Sequence, residues 1–183
     1  DEKCSNLFPL TLTRATFELR CGHATLLERI LRNLRGTQVS LFVRDYLAPM
    51  VKQRVHAEAV NDPNALKTDD LLLVNGRLLL HEGELALEGE EEIGTCGGDM
   101  AYARVRQKTV GPHRDEGLMS LLARLREGLS CKEVKATMVS YPWDLVNNNP
   151  KAIEEDFEAI GKKGILGKLH AQAAVYGEKD YVY

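Results

Sequence analysis

Five apolar side chains between Thr25 and Arg35 fall on one face of a 3.6-residue repeat: Leu26, Leu27, Ile30, Leu31 and Leu34. This stripe predicts an amphipathic helix, with Glu28 and Arg32 as a favourable i,i+4 pair and Gly36 as its stop signal. Val39 to Arg44 then reads as a strand. A helix that returns to a strand through a short loop is an α/β signature, so the chain is constrained to layer helices on a sheet. Its 183 residues suffice for one domain with a real core.

The remaining pattern extends the alternation. Pro49 suits the first turn of a short helix through Arg54, Val55 to Val60 is a weaker strand, and Asn61-Asp62-Pro63-Asn64 is a turn cluster. Leu71-Leu72-Leu73-Val74 reads as a strand buried on both faces. Asn75-Gly76 and a second apolar run, Leu78-Leu79-Leu80, follow it in the manner of a type I′ hairpin. Glu82 to Glu92, with six glutamates, predicts a solvated loop or edge hairpin, and Met100 to Arg106 a strand. Leu118, Leu121, Leu122, Leu125 and Leu129 form a second helical stripe, after which Val134 to Val139 reads as a strand. Tyr141-Pro142 predicts a break, and Asn147-Asn148-Asn149-Pro150 a lead into a helix from Lys151 to Ile160. The final residues, Ala173 to Tyr183, are strand-like.

Composition removes some function classes. A formal charge of −3 offers no electrostatic footprint for nucleic acid. No apolar run approaches the ~20 residues of a membrane helix, and the opening residues are charged, without the apolar core of a secretory signal. Cys4, Cys21, Cys96 and Cys131 are scattered without metal or redox spacing. Four free thiols suit a reducing compartment, so a cytoplasmic protein is expected.

Three segments carry candidate chemistry. In Asn6-Leu7-Phe8-Pro9-Leu10-Thr11-Leu12-Thr13-Arg14 and the following Glu18-Leu19-Arg20, two arginines precede a helix start. Guanidinium forks grip phosphate oxygens in pairs, a helix start adds free N–H groups, and Thr11 and Thr13 add hydroxyls. The plainer alternative pairs Arg14 and Arg20 with Glu18 or Glu28 on the surface. Asn75-Gly76-Arg77 stands at the carboxyl end of a strand, where α/β sheets bind ligands. Tyr141-Pro142-Trp143-Asp144 offers a stacking face and a carboxylate; the alternative is a core Trp143 with Asp144 as a cap. His23 stands at the helix entry, while His56, His81, His113 and His170 show no ligand spacing. The glutamate run lacks the arrangement of a calcium loop.

Taken in order, Asn-Leu-x-Pro-Leu-Thr-x-Thr-Arg with Glu-Leu-Arg-x-Gly-x-x-Thr, then Leu72 to Arg77, then Tyr141 to Asp144, resemble three blocks of a bacterial group. These are sugar nucleotidyltransferases related to N-acetylglucosamine-1-phosphate uridylyltransferase. The resemblance implies a nucleotidyltransferase-like (Rossmann-like) α/β fold, a mixed sheet flanked by helices, over residues 1–170. Residues 171–183 then begin the connection to a left-handed β-helix of hexapeptide repeats serving acyl transfer. Such a sheet needs a strand before the Asn6 loop that the five preceding residues cannot supply, so a first strand upstream of Asp1 is expected. It also leaves room for oligomerisation through the C-terminal domain.

The implied reaction joins a nucleoside triphosphate and a sugar-1-phosphate into a nucleoside-diphosphate sugar, UDP-N-acetylglucosamine being one such product, and releases pyrophosphate. Arg14 and Arg20 are implied as the catalytic phosphate-holding residues. Thr11, Thr13, Asn75, Arg77, Trp143 and Asp144 are implied in nucleotide and sugar binding, with Mg²⁺ as cofactor through ligands not identified. The loop carries arginine and threonine where better-known members carry glycines, and Asn75-Gly76 stands where they carry a Gly-Asp pair. A second expectation follows: a non-catalytic nucleotide-sugar-binding module of a bifunctional acyltransferase. A third, a purely structural domain, predicts no nucleotide binding.

Overall fold

The computed structural model describes residues 3–55, 59–66, 69–111, 117–161, 164–165 and 167–177. It is a mixed α/β fold with a mixed sheet flanked by helices. The main sheet has four strands: β5 (Leu71–Val74), β8 (Asp99–Val105), β7 (Glu92–Cys96) and β9 (Cys131–Glu133), in that spatial order. β8 is antiparallel to both neighbours, and β9 runs parallel to β7. Three two-stranded pairs surround it: β1 (Arg20–Cys21) with β2 (Ala24–Thr25), β3 (Ser40–Leu41) with β4 (Ala59–Val60), and β6 (Leu78–Leu79) with β10 (Thr137–Met138).

The helix expected from Thr25 forms as α1 (Leu26–Asn33). Thr25 Oγ1 accepts the Glu28 N–H at 3.1 Å and Glu28 Oε2 accepts the Thr25 N–H at 2.6 Å, a complete capping box. The expected Glu28–Arg32 pair does not form: Glu28 serves the cap, and Arg32 reaches Asp156 at 2.9 Å. The stripe packs in three directions, Leu26 towards Leu7, Leu79 and Val139, Leu27 towards Phe17 and Val51, and Ile30 and Leu34 towards Leu78 and Ala101. The helix from Pro49 is α2 (Ala48–Arg54). After it, α3 (Gln107–Val110) and α4 (Leu118–Gly128) cover the main sheet through Val110, Leu121 and Leu125.

Several expectations are corrected. Leu71–Val74 is a strand, but it ends the four-strand order with β8 as its one partner, and its residues are half-buried. Asn75-Gly76 does not close a hairpin, because the second apolar run, β6, pairs with β10 instead. The strand expected over Val39 to Arg44 shortens to Ser40–Leu41, and that over Val134 to Val139 to Thr137–Met138. The asparagine triplet is no boundary: α5 (Pro142–Ile160) runs unbroken with Pro150 inside it. His56, His113 and the closing Tyr181-Val182-Tyr183 lie outside the described residues.

Candidate functional site

The opening loop is tied down through its backbone. Thr11 is fully buried and its hydroxyl donates to the Cys4 carbonyl at 2.7 Å, so it braces the loop and offers nothing to a ligand. Arg44 donates to the carbonyls of Thr11 and Arg14 at 2.6 and 3.1 Å, Tyr46 to that of Leu12, and Arg54 to that of Thr13. With its carbonyls engaged, the loop turns the side chains of Thr13 and Arg14 outward; both residues are exposed. Arg20, also exposed, donates to the His23 carbonyl across the β1–β2 turn.

Arg14 borders a cleft of about 490 Å³ floored by Leu27, Leu31 and Val55, with Glu18, Glu28 and Arg54 on its rim. The expected pairing of Arg14 and Arg20 with these glutamates is not what forms. Glu18 binds Arg54 at 3.4 Å and the Ala15 N–H at 2.7 Å. Glu28 is held by its cap, whose backbone N–H is the largest cause pulling its carboxyl below the ordinary value, with Arg20 contributing at longer range. Among the described residues the Arg14 guanidinium is left without a protein acceptor, and so free to meet an anion.

The other two segments meet each other. Asn75 Oδ1 accepts the Arg77 N–H at 3.0 Å and its amide donates to the Met100 carbonyl at 2.8 Å, which fixes the turn after β5. Arg77 is carried inward, 1% exposed, and donates to Ser140 Oγ at 3.2 Å. Ser140 opens the turn into α5, where the Ser140 and Tyr141 N–H groups both donate to Asp144 Oδ2 at 2.8 Å. Asp144 is therefore the cap of the plainer alternative, whereas Trp143 is no core residue. It is 57% exposed and stacks on Tyr141, with ring centroids 4.5 Å apart and planes at 9°.

Two residues absent from the sequence reading complete this cluster. Asp99 binds Arg77 at 2.7 Å and Lys3 at 2.6 Å. Burial alone would raise the Asp99 carboxyl, but the hydrogen bonds from Arg77 and Lys3 outweigh it and hold it below the ordinary value. The signal available was Gly97-Gly98 before Asp99: both glycines take positive φ, 57° and 82°, as a two-residue hairpin turn requires. No comparable sign marks Lys3.

A buried ion network holds the two halves of this region together. Arg29, fully buried on α1, binds Glu155 at 3.0 Å, Asp156 at 2.9 Å and the Ala152 carbonyl at 2.6 Å, all on α5. His81 Nδ1 joins Glu155 at 2.8 Å. Asp156 also accepts the N–H groups of His23 and Ala24, and Gly22 N–H donates to Asn149, so the β1–β2 turn is clamped to α5.

The result is an α/β domain with exposed Arg14 and Arg20 near the start of the chain, a buried Arg77 after β5, and an exposed aromatic stack at the start of α5. The chain belongs to the sugar nucleotidyl transferase family, whose model matches residues 1–164. That membership makes it a transferase, with a nucleotide and a sugar phosphate as substrates. No curated protein matches the chain.

The acidic and amide oxygens beside Arg77 are largely engaged by protein groups. Among the described residues no group of three or more His, Cys, Asp or Glu could hold a metal ion. Asp99 has both oxygens on cations, and the Asn75 amide oxygen is taken by Arg77. Nor is any helix of the described residues long and apolar enough to cross a membrane.

Proposed function

We propose that the chain is a sugar-1-phosphate nucleotidyltransferase, with UTP and N-acetylglucosamine-1-phosphate as the first substrates to test. An oxygen of the sugar phosphate attacks the α-phosphorus of the triphosphate. The new P–O bond forms as the bond to the bridging oxygen breaks, and pyrophosphate leaves with the electron pair. Such a reaction needs positioning and positive charge more than proton transfer. Arg14 and Arg20 hold the nucleotide phosphates, with the Thr13 hydroxyl beside them. Arg77 supplies charge near the sugar phosphate, Asn75 fixes the turn that carries it, and Trp143 offers its face to the sugar. Asp144 acts indirectly, by capping the helix that presents Trp143. Mg²⁺ accompanying the triphosphate as part of the substrate would neutralise charge on its phosphates. The cytoplasm is the proposed compartment, in keeping with four free cysteines.

The observation that carries this reading is the contact of Arg77 with Ser140, 63 residues apart in sequence. It brings the Asn-Gly-Arg turn to the threshold of Tyr141–Trp143. The 3-10 turn Thr16–Glu18, just after the opening loop, borders the same turn, since Gly76 backs onto Phe17 so closely that a Cβ there would lie 3.3 Å from the ring. Incubation of the intact chain with each nucleoside triphosphate, Mg²⁺ and common sugar-1-phosphates tests it. Release of pyrophosphate is expected, and no release with any combination refutes it.

One observation favours a second reading, the non-catalytic nucleotide-sugar-binding module: the carboxylate beside Arg77 is committed to two cations. That reading expects sugar-nucleotide binding that survives chelation of divalent metal, without turnover.

A further inference from the structure

Arg77 is buried to 1% exposure, yet its Nε has no partner among the described residues. Its Nη2 meets Asp99 Oδ2 at 2.7 Å, and its Nη1 reaches Ser140 Oγ at 3.2 Å and the Val139 carbonyl at 3.5 Å. Asp99 Oδ1 takes Lys3 Nζ at 2.6 Å. One carboxylate is thus shared by two cations, while the neighbouring Asp144 carboxylate is engaged by the Ser140 and Tyr141 N–H groups. A buried guanidinium is stable when its charge is paired and its donors are bonded; here the charge is paired with a carboxylate shared with Lys3, and the Nε donor has no partner among the described residues.

The two cations are held unequally. The Arg77 side chain is enclosed and fixed by three acceptors, whereas Lys3 is half exposed, on the residue that opens the 3-10 turn Cys4–Leu7, and has Asp99 as its ion-pair partner. An ion pair on the solvent side is weak and exchangeable. The Ser140 hydroxyl accepts from Arg77, so its own proton remains available for an incoming acceptor. A carboxylate that bridges two cations through separate oxygens also marks a spacing that a tetrahedral oxyanion can span.

We propose that Lys3, Arg77 and Ser140 form an oxyanion pocket for a phosphoryl group of the substrate, and that Asp99 holds Lys3 in place until that group takes it over. The proposal rests on the nucleotidyl-transfer reading for the identity of the phosphoryl group, and makes Lys3 a direct ligand. The exchange swaps one anion for another on Lys3 and leaves Arg77 paired with Asp99 throughout. A phosphoryl group carries more charge than a carboxylate already shared with a guanidinium, so it competes well for Lys3.

The test is calorimetric titration of the intact chain with inorganic pyrophosphate, at fixed low ionic strength and without divalent metal. Lys3→Gln is expected to weaken binding about tenfold or more, the loss of one charge-assisted hydrogen bond. Lys3→Arg is expected to stay within about threefold of wild type, and both variants to melt within about 2 °C of it, because an exposed pair is removed. Ser140→Ala is expected to weaken binding by a smaller factor. No pyrophosphate binding by wild type, or equal binding by Lys3→Gln and wild type, overturns the pocket. The nucleotidyl-transfer reading fails separately: binding that depends on Lys3, without pyrophosphate release in the turnover assay, sinks that reading and leaves the pocket standing. Release with Lys3→Gln unchanged in both KM and pyrophosphate affinity sinks the pocket alone.

Discussion

Asp156→Asn tests the clamp on which the geometry depends. Asp156 is 1% exposed, and its carboxylate accepts from Arg29 and Arg32 at 2.9 Å and from the N–H groups of His23 and Ala24 at 2.8 and 3.1 Å. An asparagine of the same shape keeps one acceptor oxygen. The best placement turns that oxygen to Arg29, His23 and Ala24 and points the new NH₂ at Arg32, which is partly exposed and can turn to water. Arg29 remains buried, with Glu155 as its remaining charge partner. Breaking a buried pair costs about 3–5 kcal/mol, and the surviving Glu155 places this case near the lower end, about 3 kcal/mol. That is a large share of the ~5–15 kcal/mol that keeps a domain folded, and corresponds to a melting temperature lower by roughly 6–12 °C for a chain of this size. Urea unfolding of wild type, Asp156→Asn and Arg32→Gln measures it, with Arg32→Gln expected to lose about 1 kcal/mol or less.

The pH dependence has a definite sign. Burial alone would raise the Asp156 carboxyl, but hydrogen bonds from Arg32 and Ala24 and the charge of Arg29 hold it below the ordinary value. The folded state therefore binds fewer protons than the unfolded state. The contribution is complete above the ordinary aspartate value of about 3.9 and is lost as pH falls through the lower folded value. The gap between wild type and Asp156→Asn should close as pH falls below about 4. A loss under about 1 kcal/mol at neutral pH, or a gap that does not change in acid, refutes the clamp.

Three further outcomes are expected. Gly22→Ala should cost more than about 2 kcal/mol in urea unfolding, because φ is +74° and a Cβ would lie 2.5 Å from Asp156 Oδ2. Trp143→Ala should leave stability within about 1 kcal/mol and weaken sugar-nucleotide binding about tenfold in calorimetry, since its ring is exposed and, among the described residues, stacks on Tyr141. Arg14→Ala, which breaks no side-chain hydrogen bond or ion pair among the described residues, should weaken nucleotide binding on the order of ten- to a hundredfold, with unchanged melting temperature.

Local signals in the sequence were reliable where local physics decides. The Leu26 to Leu34 stripe and Pro49 in the first turn of α2 each specify their own face or turn, and both helices form, whereas the Glu28–Arg32 pair gives way to the Thr25–Glu28 cap. Signals that needed a partner strand misled. Asn75-Gly76 has the sequence of a hairpin, but β5 finds its partner in β8 and β6 in β10, a choice made by tertiary packing. Pro150 has the look of a helix start, but α5 continues through it, and the contacts on either side, Asn149 to Gly22 and Asp156 to His23, are invisible in one segment.

The site divides the same way. Arg77 and Trp143 stand out as residue types and sit at one cluster, while Thr11 braces the loop through the Cys4 carbonyl and Asp144 caps α5 through Oδ2. Lys3 and Asp99 went unnoticed because their meaning lies in a contact across 96 residues.

The central claim is tested most directly by following pyrophosphate release from the intact chain with UTP, Mg²⁺ and N-acetylglucosamine-1-phosphate, extended to the other nucleotides and sugar phosphates. The account predicts release that depends on both substrates and falls in Arg14→Ala and Arg77→Lys. No release with any pair, from a chain that is folded and binds a sugar nucleotide equally well after metal chelation, would contradict it.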